Sequence, residues 1–292
     1  MEEKLIEIRQ DRPGFDQFIG SWLCRDELTL LVDVGPANTA DRLLESLAGL
    51  DVEEIDYILL SHIHIDHSGA LADVLARYPM AQAVCHEKGI SNLVDPEKLW
   101  SGSLDVLGEV AELYGEPKAV PAERLVSHTS CPANGVTVIE TPGHAAHHLS
   151  FAYGGRLFPG EAAGNFFLVN GKEYLRPATP PRFFLPVFLE SVDRLLSLND
   201  QPICYAHFGR APSSHRMLKR FRNQVLAWEK WIRQGLSPGK QEIEKRCVDA
   251  LLAKDPNLTA FEEMGPATRA RERNFIANAV RGFLGYFREE SR

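Results

Sequence analysis

No apolar run in the 292 residues approaches the roughly 20 that a bilayer span requires, so no membrane segment is expected. The opening stretch MEEKLIEIRQ lacks both a basic n-region and an apolar h-region, which points to a cytoplasmic protein. Cysteine is sparse and scattered: Cys24, Cys85, Cys131, Cys204 and Cys247 form no Cys-x-x-Cys pair. That argues against a disulfide framework and against a structural zinc knuckle. Cys85 and Cys204 fall in apolar runs and are expected to be buried as small hydrophobes. Positive charge is in deficit, with a formal net charge of −8. An acidic surface repels phosphate backbones, so no nucleic-acid partner is expected. The basic cluster from Lys219 to Arg222 reads as the solvated face of a helix. There is no Gly-x-Ser-x-Gly elbow for a nucleophilic serine, no internal repeat and no low-complexity segment.

What remains is an ordinary globular composition, 44% hydrophobic and 25% charged. Residues 28–34 read as a buried strand ending at Gly35-Pro36, followed by a helix that Thr39 caps, with Leu43, Leu44 and Leu47 on one face. Residues 55–60 form the next strand. A helix is expected from Ser68 to Tyr78, a short strand at Ala81 to Cys85, and helix again around Pro96 to Tyr114. Residues 135–140 read as a strand, and Leu149–Tyr153 with Arg156–Phe158 as a hairpin around Gly154-Gly155. The Pro-, Phe- and Gly-rich stretch 164–186 reads as a surface loop. Phe188 to Leu198 is helical, and Ile203 to Ala206 is one more strand. After Gly209 the strand signals stop, and apolar stripes at helical spacing run through Met217, Phe221, Val225, Trp228 and Ile232, then through Phe275 to Phe287. The chain thus divides into an α/β region, 1–210, and a helical C-terminal region, 211–292.

The chemistry concentrates in Ser61-His62-Ile63-His64-Ile65-Asp66-His67. Three of the ten histidines and an aspartate fall within six residues at the end of a buried strand. Divalent metals take imidazole and carboxylate ligands. Alternation along an extended chain points His62 and His64 the same way, while Asp66 and His67 turn with the loop toward a second ion. His144 and His207 occupy matching places, each ending a strand beside a Gly or Pro turn. One set would be His62, His64 and His144, the other Asp66, His67 and His207. Three protein ligands per ion leave positions for water, as catalytic sites do. Two adjacent dications need a bridging anion, and Glu161, after Phe158-Pro159-Gly160, is the candidate.

In order, SHIHIDH, TPGH, FPGE and AHFG resemble the metallo-β-lactamase superfamily over residues 28 to 209, with Asp33 of LLVDVG matching the family's structural aspartate. TPGHAAHHLSF and the helical tail resemble its glyoxalase II-like branch. The resemblance implies an α+β fold, an αββα sandwich with the site at one edge and a helical appendage. It also implies two divalent ions, zinc first, iron or manganese as alternatives, and a metal-bound hydroxide as nucleophile. Glu161 departs from the family's usual Asp. His148, four residues past His144, matches a histidine that often supports the ligands. His147, His86, His128 and His215 read as surface or core residues. Phe166, Phe167, Tyr174, Phe183 and Phe184 either line a substrate pocket or pack their own loop.

The leading expectation is hydrolysis of an ester, thioester or lactone of a small molecule, with Asp66 orienting the hydroxide. Alternatives are a phosphodiesterase, a mononuclear iron dioxygenase acting on a persulfide, and a ligand-binding protein with a vestigial metal site. Di-iron redox relatives usually carry Glu where this chain has His64, which favours hydrolysis. The tail has stripes but little core of its own, so it is expected to pack beside the site and to contribute to a homodimer.

Overall fold

Strand alternation explains the layering. In the computed structural model, which describes residues 1–181, 183–236 and 242–290, a first sheet is built from β1 (Glu2–Glu7), β2 (Gly20–Arg25), β3 (Thr29–Val32), β4 (Tyr57–Leu59), β5 (Gln82–Cys85) and β6 (Leu125–Ser127), in that spatial order. β1 to β3 are antiparallel, and β3 to β6 run parallel. A parallel sheet must be covered on both faces, and these strands bury both sets of alternating side chains. Leu23, Leu31, Ile58, Ala83 and Cys85 point into a helical layer that includes α1 (Ala40–Ala48), α2 (Ile65–Ser68) and α3 (Leu71–Arg77). Trp22, Cys24, Leu30, Leu59 and Val84 point the other way, onto Leu149, Phe151, Phe158 and Cys204 of a second sheet. The indole of Trp22 donates to the Tyr205 carbonyl at 2.9 Å and ties the two sheets together.

Three helices, α4 (Glu87–Val94), α5 (Glu97–Leu107) and α6 (Glu109–Tyr114), lead from β5 to β6. The second sheet contains β7 (Thr137–Glu140), β8 (Leu149–Tyr153) and β9 (Arg156–Phe158); a separate hairpin follows, β10 (Asn165–Val169) with β11 (Lys172–Arg176). After α7 (Leu185–Leu196), β12 (Ile203–Cys204) and β13 (Arg210–Ala211) complete the second sheet in the order β13-β12-β9-β8-β7. Its outer face, through Leu157 and Ile203, packs on α7 and on the helices that follow, α8 (Ser214–Gly235), α9 (Ile243–Lys254) and α10 (Pro266–Glu290). The result is an αββα sandwich. Among the described residues, no helix is long and apolar enough to cross a membrane.

The structure corrects three local expectations. The stretch 164–186 is not a surface loop: β10 and β11 occupy its first half, and Phe166, Phe167, Tyr174, Leu175 and Phe183 are buried in the same core as α8 and α10. The aromatics of this stretch are therefore core residues, except Phe184, which is half exposed. The turn at Asn170-Gly171, with φ of +50° and +80°, is the hairpin signal that composition masked. The expected helix from Ser68 to Tyr78 is two helices, α2 and α3. At the junction, a Cβ on Gly69 would collide with the Ile65 carbonyl and the Ala37 amide, so a glycine is needed where the metal-loop turn meets the 36–37 backbone. Thr39 precedes α1 but makes no side-chain cap; its hydroxyl instead donates to the Pro36 carbonyl at 3.1 Å. Of the helical region 211–292, residues 237–241 and 291–292 lie outside the described residues.

Candidate metal centre

Each of the seven residues singled out from the sequence sits at the end of an element on one edge of the sandwich. β4 runs into His62 and His64. α2, a single turn, carries Asp66 and His67. His144 lies between β7 and β8, Glu161 follows β9, and His207 follows β12. All seven come together, as two donor groups: His62, His64, His144 and Glu161 in one, and Asp66, His67 and His207 in the other. The atoms of each group lie within 4.8 Å of one another.

In the first group, Nε2 of His62 faces Nδ1 of His64 at 2.9 Å, and Nε2 of His144 faces the same Nδ1 at 3.0 Å. Oε2 of Glu161 lies 2.6 Å from His144 Nε2 and 3.7 Å from His62 Nε2. The other oxygen, Oε1, lies 3.4 Å from His207 Nε2, which is itself 3.4 Å from Asp66 Oδ2. Glu161 therefore turns one oxygen to each group, and its extra methylene relative to Asp does not prevent this.

The far nitrogens of the rings explain their aim. His67 Nδ1 is bonded to Asp33 Oδ2 at 2.9 Å, His144 Nδ1 to the Ala178 carbonyl at 2.9 Å, and His207 Nδ1 to the Phe18 carbonyl at 3.1 Å. A proton held on Nδ1 by an acceptor leaves Nε2 with a free lone pair, the tautomer that binds metal. Nε2 of His67 is buried with no hydrogen-bond partner, its nearest carboxylate oxygen being Asp66 Oδ2 at 3.7 Å. An orphaned imidazole nitrogen, and three ring nitrogens crowded at hydrogen-bond distance, are costly arrangements without a cation between them. The residues fit divalent ions.

Electrostatics agree. Burial, then the neighbouring rings, push His62 well below the usual imidazole range and His64 down to about 3. Burial opposes ionisation of Asp66, but His67 and His207 outweigh it and hold the carboxyl at about 2. Glu161 is likewise held well down: burial works against its charge, and His144 and His207 overcome it. Burial also works against charge on His67 and His144, but Asp66 and Asp33 raise His67 to about 9 and Glu161 raises His144. The metal-free site thus pairs neutral His62 and His64 with carboxylates that stay ionised.

Two further histidines belong to this edge. His148 is fully buried; its Nδ1 pairs with the Thr141 hydroxyl at 2.8 Å, and its Nε2 accepts from the Glu161 amide at 3.0 Å. It fixes the backbone that presents Glu161. The His147 ring lies against His62 and His64, with centroids 6.3 and 5.9 Å away. Asn165 was not singled out from the sequence. With its amide nitrogen toward Glu161, it donates to Oε1 at 3.0 Å and accepts from Arg176 Nη2 at 3.1 Å; the orientation follows from these partners. No motif announces it, because it acts from a hairpin that composition disguised.

His86, His128 and Glu140 form a third acidic-imidazole group. Both rings accept a backbone N–H on Nδ1, from Lys88 at 3.1 Å and Glu87 at 3.3 Å. Their protons must then sit on Nε2, where each faces Glu140, so the trio reads as a capping cluster and not as a ligand set.

A sandwich with a two-part His/carboxylate centre at one edge defines a class of metal-dependent protein. This chain belongs to the metallo-beta-lactamase superfamily, whose family model matches residues 20–207. It is 30% identical, over 217 residues, to the metallo-beta-lactamase fold-containing protein ST1585 of Sulfurisphaera tokodaii, covering 71% of this chain and 78% of that protein. The crystal structure of ST1585 superposes with a TM-score of 0.69 at 24% identity, over 96% of this chain and 98% of that one. A more distant relative, 27% identical over 289 residues (94% of this chain, 97% of that protein), is a hydroxyacylglutathione hydrolase of Cupriavidus taiwanensis.

Proposed function

We propose that the protein is a metal-dependent hydrolase that cleaves an ester, thioester or lactone of a small molecule at a dinuclear centre. The observation that carries this reading is Glu161, whose two oxygens face two separate ligand groups. His62, His64 and His144 would hold one ion, and Asp66, His67 and His207 the other, with Glu161 offering an oxygen to each group. Zinc suits the imidazole-rich donor set. When bound, the pair of ions would acidify a water and polarise the carbonyl under attack.

The chain's own residues supply the rest. Asp66 is half-buried and ionised, so it can accept a hydrogen bond from the attacking water and orient it. Asp33 and the Ala178 and Phe18 carbonyls keep three imidazoles in one tautomer. The burial of His62, His67, His144, Glu161 and His207 keeps bulk water off the ligands, leaving His64 and Asp66 on the more open side. The likeness to a hydroxyacylglutathione hydrolase over nearly the full chain supports a thioester as the first substrate to try.

The test is elemental analysis of protein purified without added metal, followed by assay on thioesters, lactones and phosphodiesters. Two transition-metal ions per chain and turnover of a carbonyl substrate are expected. Iron at one per chain with oxygen uptake would replace hydrolysis by oxygenation, and turnover confined to phosphodiesters would change the substrate class.

A further inference from the structure

Glu272 and Arg271, adjacent on α10, are almost completely buried, and so is Arg176 on β11. Arg176 Nε donates to Glu272 Oε2 at 2.5 Å, and Arg271 Nε donates to Glu272 Oε1 at 2.9 Å. The trio is surrounded by aromatic rings: the Arg271 guanidinium lies 4.1 Å from the Phe18 centroid, and that of Arg176 lies 5.0 Å from the Phe275 centroid. Two cations and one anion in an apolar setting are expensive, even when paired. A hydrophobic core would not need them, so what they touch matters.

They touch the metal centre by two routes, and both end on the same side of it. Arg176 Nη2 donates to Asn165, whose amide donates to Glu161 Oε1, the oxygen facing His207. Arg271 Nη1 donates to the Gly14 carbonyl at 2.5 Å and reaches that of Asp16 at 3.4 Å, pinning the segment that ends in Phe18. The Phe18 carbonyl accepts from His207 Nδ1, and its ring lies 4.6 Å from the His207 ring. His62 and His144 depend instead on Ser61 and the Ala178 carbonyl. α10 also touches the Ala178 segment, where the Thr179 hydroxyl donates to the Ala279 carbonyl, but that contact is two turns beyond Glu272.

We infer that the Arg271–Glu272 pair acts through Arg176, Asn165 and Phe18 to hold Glu161 Oε1 and His207 in place, and so sets chiefly how tightly the second ion is held, reaching the first only through the other oxygen of Glu161. These are positioning residues; none is a ligand. The inference rests on the dinuclear reading above.

The experiment is a zinc titration of chelator-stripped full-length protein against a chromophoric competitor, for wild type and Glu272→Gln, with thermal unfolding of both metal-free proteins recorded alongside. Glutamine keeps the shape and removes the charge that holds two arginines together. The expected result is a second equivalent weakened about 10- to 100-fold, the range seen when groups behind a ligand are altered, with the first equivalent weakened markedly less. Equal weakening of both equivalents would overturn the inference, as would a lower unfolding temperature with both affinities intact. If Glu272→Gln does not fold, Asn165→Leu, which removes one Arg176 contact but leaves both Arg–Glu272 pairs in place, carries the same test under the same outcomes. A wild-type protein that takes up only one zinc would overturn the dinuclear reading and this inference with it. Two equally tight zincs in wild type and variant would overturn the inference alone.

Discussion

Asp33 adopts a left-handed backbone conformation, φ +57°, which few residue types tolerate and aspartate tolerates better than most. That conformation turns its carboxylate back under the metal loop. It accepts from the Ser61 amide and hydroxyl, both at 2.8 Å, and from His67 Nδ1 at 2.9 Å. One side chain thus holds the start of the loop and the tautomer of a ligand. Asp33→Asn preserves size but presents an N–H where an acceptor is needed. Zinc competition should show affinity at the His67 side reduced about 10- to 100-fold; an unchanged affinity would mean that His67 is oriented by something else. The seven candidate ligand positions were legible in the sequence because metal-binding residue types stand there, four of them within six residues and the rest beside strand ends, while Asp33 was legible only through the resemblance to the superfamily's structural aspartate. Asn165 and Arg176 were not, since an amide and a guanidinium behind a ligand carry no spacing rule.

Among the elements, the turn Pro159-Gly160-Glu161 leaves little room for a side chain at its glycine. Gly160 has φ +54°, and a Cβ there would stand 2.5 Å from His148 Nε2 and 2.8 Å from Ser61 Cβ. Gly160→Ala must therefore displace the ring that receives the Glu161 amide. We expect a loss of about 1 kcal/mol or more in denaturant unfolding, together with reduced metal content; wild-type values for both would show that the turn has slack. α10 has its own signature. Burial pushes the Glu272 carboxyl up, but Arg176 and Arg271 outweigh it and hold it below the ordinary 4.5. A depressed carboxyl stabilises the fold fully above its unfolded value and loses that contribution as pH falls through the folded one. The unfolding temperature of wild type should therefore drop on acidification below 4.5 more steeply than that of Glu272→Gln. Parallel profiles would remove Glu272 from acid stability. The hairpin of β10 and β11 teaches the same lesson about legibility: Asn170-Gly171 marked its turn, yet the surrounding prolines and glycines made a buried element look like a surface loop.

For the molecule as a whole, the helices after residue 210 share a core with the second sheet. Met217, Phe221, Val225, Trp228, Ile276 and Phe283 are buried with Leu157, Ile203 and Phe188. Each such side chain represents about 1.5–3 kcal/mol of burial, so removing the tail strips the outer face of the sheet. A chain truncated after Gly209 is expected to aggregate, with solubility and size-exclusion behaviour as the readout. A soluble, monomeric fragment with a cooperative unfolding transition would show that 1–209 folds alone. We propose that any homodimer forms on another face, because the apolar stripes of α8 and α10 are already spent within the chain.

By itself the sequence determined the superfamily, the sandwich and the residues able to ligate metal. Those properties are local: ligands sit at strand ends, strands announce themselves by period, and short motifs keep both in register. Only the tertiary structure decided that Glu161 faces two ligand groups, that the 164–186 segment is core, and that Arg271 and Glu272, more than a hundred residues away, stand behind Glu161. Such relations depend on where distant segments dock. Docking is driven by burial of apolar area, which is non-directional, so composition predicts that the stripes will be covered and leaves open which charged neighbours are carried inside with them.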